Sequence, residues 1–381
     1  MMSKLTALPL SQLKERKSDK WRSFPADVLP LPVAEMDFEI AKPIRDVLEE
    51  MIQGSDTGYL GPVPELGINL AKFAKARWGW DVDPAQVFTA TDVGVGMVEM
   101  ARTIVNPGDL IMVNSPVYHN FKNWISELKC LLYDAPLVKD ELHYTLDLAA
   151  VEAGYKSGVK IHFLCNPHNP VGTVFTKAEL AGLADLAKRY DVTVFSDEIH
   201  APLTYRASEF TPFLNVSETA REVGVCVTAA SKSWNLAGLK CATIITGHPK
   251  QLARANSMPM AVHYRASLFG AIASATAYEC SDWLDNAIET LDSNRKYIAN
   301  LLTQKLPSVG HRVPDCSYLA WLDLTSLNLG ADPSEELLKR AKLALNSGIS
   351  FGPASGQFVR LNFATSEEII DEAISRIVSL T

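Results

Sequence analysis

Seven predominantly apolar runs punctuate the first two thirds of the chain: Gln86–Ala90, Leu110–Asn114, Cys130–Asp134, Lys160–Cys165, Val192–Ser196, Val223–Thr228 and Ala242–Thr246. They are short and hardly alternate, which predicts strands buried on both faces of a sheet. Stretches of helical periodicity fill the gaps. In Thr176-Lys177-Ala178-Glu179 a Thr stands at the N-cap position and a Glu at N3, a capping box that opens a helix running to about Tyr190. A helix between strands ending at Cys165 and Ser196 predicts a βαβ unit with parallel pairing. Repeated over residues 55–280, the alternation predicts an α/β domain with a mostly parallel sheet and helices on both faces.

From about Asp282 the pattern changes. Trp283, Ala287, Leu291, Tyr297 and Leu301 mark a long helix. Strand candidates follow at Tyr318–Leu324 and Gln357–Phe363, with a helix over Ser334–Asn346 between them. The expected division is a large α/β domain over residues 50–281 and a smaller α+β domain made of residues 1–49 and 282–381, the N-terminal segment crossing back to it.

Bulk properties narrow the function classes. The chain has 381 residues, 47% hydrophobic and 21% charged, as ordinary globular proteins do. Its 36 Lys and Arg against 44 Asp and Glu give a formal net charge of −8, with no long basic run, so neither nucleic acid nor an anionic membrane is an expected partner. No stretch approaches the roughly 20 apolar residues of a membrane span. Met1 to Lys20 lacks the continuous apolar core of a secretion signal, and a cytoplasmic location is expected. Cys130, Cys165, Cys226, Cys241, Cys280 and Cys316 form no CxxC pair, and several lie in apolar runs, as small core residues do. The eight histidines show no HExxH or HxxxH spacing, and no metal site is expected.

The chemistry gathers at strand ends. Lys232, in Ser231-Lys232-Ser233-Trp234-Asn235, lies just past the Val223–Thr228 run, where a side chain emerges at the edge of a buried sheet. Such a lysine is either a solvated turn residue or a Schiff-base nucleophile. Asp197 follows Val192–Ser196; a carboxylate there is a loop acid or the partner of a cofactor's pyridinium nitrogen. Asn169, in Asn166-Pro167-His168-Asn169-Pro170-Val171-Gly172, shapes a turn or donates to a phenolate oxygen. Asn, Asp and Lys in that order, each at the end of an apolar strand, make the constellation that pyridoxal phosphate (PLP) requires.

Supporting candidates surround these three. Tyr118, after Ser115-Pro116-Val117, is a packed aromatic or a ring stacked on the pyridine face. The stretch from Thr91 through Val93 and Gly94 to Met97 opens a helix, and amides at a helix start cradle anions such as a phosphate. Lys240, in Leu236-Ala237-Gly238-Leu239-Lys240, is a surface lysine or a phosphate partner. Arg360, in Phe358-Val359-Arg360-Leu361-Asn362-Phe363, makes an inter-lobe salt bridge or takes a substrate carboxylate in its planar fork.

Together these stretches resemble fold-type I PLP enzymes of the class I/II aminotransferase superfamily. More narrowly, they resemble the MalY/PatB branch of cystathionine β-lyases, including actinobacterial-type C–S lyases. The likeness runs from Trp21 and Phe24-Pro25-Ala26-Asp27-Val28-Leu29-Pro30 through Val33-Ala34-Glu35-Met36-Asp37-Phe38, Gly58-Tyr59 and the stretches above to Tyr318-Leu319-Ala320-Trp321-Leu322-Asp323. Asp197-Glu198-Ile199-His200 is the discriminating motif: ordinary aminotransferases of the superfamily usually carry Tyr where His200 stands.

The resemblance implies that Lys232 carries the cofactor covalently, Asp197 pairs with its ring nitrogen, and Asn169 meets its ring hydroxyl. It also implies that Tyr118 stacks on the ring and Arg360 takes the α-carboxylate. A homodimer is implied, with Tyr59 of the neighbouring subunit touching the cofactor phosphate. Two positions depart from the pattern. Ala229 stands where many relatives place a phosphate-binding Ser, leaving that task to Ser231, Thr228 or Lys240, and Val93 stands where relatives often have Gly. The implied reaction is β-elimination of L-cystathionine or related S-substituted cysteines to a thiol, pyruvate and ammonia. Transamination by the same site, and a regulatory protein that binds PLP, are the alternatives. Residues near Met36-Asp37-Phe38 are expected to help line the distal pocket.

Overall fold

The computed structural model describes residues 4–381. The small domain expected from the sequence starts at residue 1, and its first three positions lie outside the described residues. Seven strands form the main sheet: β1 (Val87–Ala90), β2 (Leu110–Val113), β3 (Leu131–Asp134), β4 (Val159–Cys165), β5 (Thr193–Asp197), β6 (Gly224–Thr228) and β7 (Ala242–Ile245). Their order is β1-β7-β6-β5-β4-β2-β3. Only β7 runs antiparallel to its neighbours, so the sheet is mostly parallel as expected. Each falls within a residue or two of its apolar run. Every residue of β5 is buried, and so is all of β4 but Lys160, which accounts for their near-continuous apolar character.

Two helices packed on this sheet carry side-chain caps, one of them the capping box expected from the sequence. Helix α1 (Val93–Ala101) starts at Asp92, whose side chain accepts from the Val95 amide. Helix α2 (Lys177–Arg189) carries the full capping box of Thr176 and Glu179. Between β4 and β5 it completes the predicted βαβ unit.

A second, four-stranded antiparallel sheet consists of β8 (Gly310–His311), β9 (Leu319–Asp323), β10 (Asn346–Ser347) and β11 (Phe358–Asn362), in the order β8-β9-β11-β10. The long helix α3 (Ser281–Lys305) leads into it, and α4 (Glu367–Val378) packs against α3. The helix expected over Ser334–Asn346 spans only Pro333–Ala341. Lys342 ends it in the left-handed region (φ 54°), and Leu343–Ala344 then pairs in parallel with Leu29–Pro30. Pairing with a distant segment, in a spot where Leu343 and Ala344 are buried, outweighs local helical periodicity here.

The N-terminal arm is stitched to this second sheet. The Leu31 amide donates to Ala344, Asn362 to Leu31, and Asp37 to Ala364, all at 2.8–2.9 Å. Asp37 is fully buried and accepts from Lys20 Nζ at 2.7 Å and Trp21 Nε1 at 3.1 Å, with Arg16 Nη1 at 3.8 Å. Burial holds the Lys20 amine below its ordinary value, and Asp37 works in the opposite direction. No helix of the described residues is long and apolar enough to cross a membrane. All six cysteines are free and buried.

Removing one partner of a buried ion pair strands the other charge, at a cost of about 3–5 kcal/mol. Asp37→Ala is therefore expected to lower the unfolding free energy in urea by about that amount. The double variant Lys20→Met with Asp37→Leu removes both fully buried charges together and leaves only the partly exposed Arg16 without its partner, so it should lose less than half as much.

Candidate active site

Strands β1, β4, β5 and β6 point the same way, so the loops beyond their C-terminal ends gather at one edge of the sheet, where open α/β sheets bind ligands. Cys165 at the end of β4 lies opposite Asp197 at the end of β5, and Val227 of β6 flanks Asp197 on its other side. Thus the Asn169 loop, Asp197 and the Lys232 turn are neighbours by register alone. A cavity of about 560 Å³ opens there, roofed by β10, β11 and residues 32–34 of the N-terminal arm.

Each wall residue is held by a definite contact. The turn after β6 folds on itself, with Trp234 N donating to Ala230 and Leu236 N to Ser231, both at 2.9 Å. Asn235, left-handed at φ 60°, ties that turn to the arm by exchanging two side-chain bonds with the Met36 backbone. Lys232 Nζ donates to the Ala34 carbonyl at 3.0 Å. Its amine is pushed down to about 8, first by burial and next by the Arg360 charge.

Asp197 is buried, accepts from the Ile199 amide at 3.1 Å, and has no ion-pair partner among the described residues. Burial raises its carboxyl to about 7. His200 hydrogen-bonds through Nδ1 to the Ser317 hydroxyl at 3.0 Å. Burial, then the Lys232 and Arg360 charges, hold its imidazole near 3 and therefore neutral at pH 7.

Arg360 is buried and sits 4.9 Å over the Phe351 ring. Its bonds go to neutral oxygens: Asn169 Oδ1 at 3.0 Å, the Pro32 carbonyl at 3.0 Å and Asn346 Oδ1 at 2.6 Å. No carboxylate pairs with it among the described residues, so the inter-lobe salt bridge weighed from the sequence is absent from this set. Buried Nε has no partner. Burial lowers the guanidinium to about 10, a value that leaves it charged at neutral pH. Because arginine only donates, both asparagines must turn their oxygens toward it, leaving their Nδ2 groups as donors.

At the far wall, Asp92 caps α1 and leaves the first-turn amides of Val93 and Gly94 without helical partners. A Cβ on Gly94 would lie 2.8 Å from the Trp124 ring, so only glycine fits. Lys240, exposed and left-handed, reaches Asp92 Oδ2 at 3.4 Å at the cavity edge. Tyr118 accepts from Asn120 Nδ2 at 2.6 Å, and burial raises its phenol.

The structure brings Val93, Gly94, Tyr118, Asn169, Asp197, His200, Ser231, Lys232, Lys240 and Arg360 to one cavity. Tyr59 is not on it: its side chain is 93% exposed in a segment without regular structure. Thr228 is absent from the wall too, its hydroxyl donating to the Glu198 carbonyl at 3.2 Å. Residues 36–38 are buried away from the cavity, and Pro32, Val33 and Ala34 line it instead. Sequence reasoning missed His119, Trp124 and Asn346, which also form the wall. Only the adjacency of His119 to Tyr118 signalled any of these.

Comparison with known proteins agrees with this architecture. A cystathionine beta-lyase of Corynebacterium glutamicum is 35% identical over 376 residues, covering 97% of this chain and 98% of that protein. Cystathionine beta-lyase PatB of Bacillus subtilis is 32% identical, with 92% of each chain covered. The crystal structure of cystalysin from Treponema denticola, which contains pyridoxal 5'-phosphate, superposes with a TM-score of 0.90 at 27% identity, over 100% of this chain and 99% of that one. Residues 26–377 match the family described as aminotransferase class I and II, and the chain belongs to that family.

Proposed function

We propose that the chain is a PLP-dependent C–S β-lyase that converts L-cystathionine or a related S-substituted cysteine, with water, to a thiol, pyruvate and ammonia. The observation that carries this reading is the unpaired charge in the cavity. Buried Asp197 and buried Arg360 each lack an ion-pair partner among the described residues: Arg360 stays charged at neutral pH, while Asp197, raised to about 7, becomes fully charged only when a cation stands beside it. A protonated ring nitrogen answers the first, and an amino-acid carboxylate the second.

Pyridoxal phosphate fits the remaining groups. Its phosphate suits the Val93 and Gly94 amides with Ser231 and Lys240, and its phenolic oxygen suits Asn169 Nδ2. Tyr118 offers a ring face, and the cavity has ample volume. When bound, the cofactor supplies the aldehyde for the substrate's amine and an electron sink that acidifies the Cα–H bond.

The chain's own residues do the rest. Arg360 holds the α-carboxylate with a donor-only fork, fixing which bond at Cα faces Lys232. Lys232 Nζ, with its depressed value, has a substantial fraction of neutral amine near pH 8 and takes the Cα proton. Asp197 favours a protonated ring nitrogen opposite it. Neutral His200 adds no further positive charge beside Lys232. The choice of lyase over aminotransferase rests on His200 in the Asp-Glu-Ile-His motif and on the two lyase relatives. A homodimer would bring Tyr59 of a second copy to the phosphate, consistent with its exposure here. The site would then lie between an α/β domain of residues 50–281 and a smaller domain of the remaining chain, in a cytoplasmic enzyme.

Two measurements test this. Purified PLP-loaded protein given L-cystathionine should release pyruvate and free thiol in equal amounts, and Lys232→Ala should slow both about a thousandfold or more. Amine transfer to a 2-keto acid without pyruvate release would assign the site to transamination instead. Arg360→Met should raise KM roughly 10- to 150-fold, the worth of a charged hydrogen-bond set, with a smaller change in kcat.

A further inference from the structure

Five consecutive carbonyls of the N-terminal arm are held by side chains. Arg360 Nη2 donates to Pro32, Asn362 Nδ2 to Val33 and Glu35, and Asn235 Nδ2 to Met36. The Ala34 carbonyl, in the middle, takes Lys232 Nζ at 3.0 Å and Tyr318 Oη at 3.1 Å. A carbonyl oxygen has two lone pairs, so these donors fill it.

Tyr318 is fully buried behind the cavity wall, its ring edge-on to His200 with centroids 6.2 Å apart. Burial raises its phenol far above neutrality, so it stays protonated and donates. A neutral lysine amine has two N–H bonds and one lone pair. With one N–H committed to Ala34, the lone pair is turned away from that carbonyl.

We propose that Tyr318 is a positioning residue for proton transfer at the substrate's Cα: by pinning the Ala34 carbonyl it fixes the direction of the Lys232 Nζ lone pair. This rests on the reading of Lys232 as the base. The groups that face Lys232 are Asp197 and Glu35, Arg360 and Lys240, neutral His200, and the Tyr318 phenol through Ala34. Removing the phenol hydroxyl leaves the Ala34 oxygen undivided for the ammonium form and leaves room for water. Both effects favour protonated Lys232.

The test is Tyr318→Phe, which keeps the ring against His200. In the PLP-loaded protein, exchange of the Cα hydrogen of L-alanine for deuterium reports the proton step without C–S cleavage. It should slow about tenfold while L-alanine affinity changes by less than about twofold. In the cofactor-free protein, labelling of Lys232 by trinitrobenzenesulfonate, followed by peptide mass spectrometry across pH, should reach half its maximum near pH 8 in the parent. The variant's midpoint should lie higher by about half a unit. Wild-type exchange, or slowed exchange with an unmoved midpoint or with lost affinity, would overturn the proposal. Persistent exchange in Lys232→Ala would instead overturn the reading of Lys232 beneath it, and intact exchange without thiol release would count against the lyase assignment alone.

Discussion

Buried charge without an internal counter-ion is the constraint on which this cavity depends. Arg360 is buried among neutral oxygens and an aromatic ring, Asp197 is buried at the end of a strand buried along its whole length, and Lys232 feels the charges of both. Elsewhere the chain does the opposite: buried Lys20 meets Asp37 directly. The proposed function gives the unpaired cation a counter-ion in the substrate's carboxylate. Burial and then the Arg360 charge depress Lys232, and burial raises Asp197 more than the Ile199 amide and Lys232 lower it.

The scaffold answers that demand with two sheets and an arm. Parallel strands bring the Asn169 loop, Asp197 and the Lys232 turn together at one sheet edge. The antiparallel sheet brings Arg360 and Asn346 from the other side. Residues 32–36 run between, and their carbonyls are bound by Lys232 and Tyr318 at Ala34, by Arg360 at Pro32 and by Asn235 at Met36. Anchoring at Asp37 thus holds the same arm whose carbonyls accept from Lys232 and Arg360.

Much of this was legible in the chain. The apolar runs located all seven strands of the main sheet: β4 to β7 are buried almost throughout, which keeps their runs nearly continuous, whereas the edge strands β1 and β3 are apolar in sequence but only partly buried or exposed, so the expectation of burial on both faces fails for them. Asp197, Asn169 and Lys232 were legible as polar residues at the ends of such runs. The less legible parts depend on long-range contacts. The helix after Pro333 stops short because Leu343 and Ala344 pair with a segment some 300 residues away in sequence, and no local window contains that partner. Asn346 and Ala34 act through one amide oxygen and one main-chain carbonyl, which carry no sequence signature. The distal wall was placed at residues 36–38 rather than 32–34 because an extended arm has no periodicity to say which residues face inward.

The role of Lys232 is tested most directly by where the cofactor attaches. Borohydride reduction of the protein loaded with pyridoxal phosphate, followed by peptide mapping, reads the lysine that carries it. One reduced pyridoxyl group per chain is expected, on Lys232, and none on Lys240 eight residues further on. Attachment at Lys240, or label spread over surface lysines with Lys232 unmodified, would contradict it.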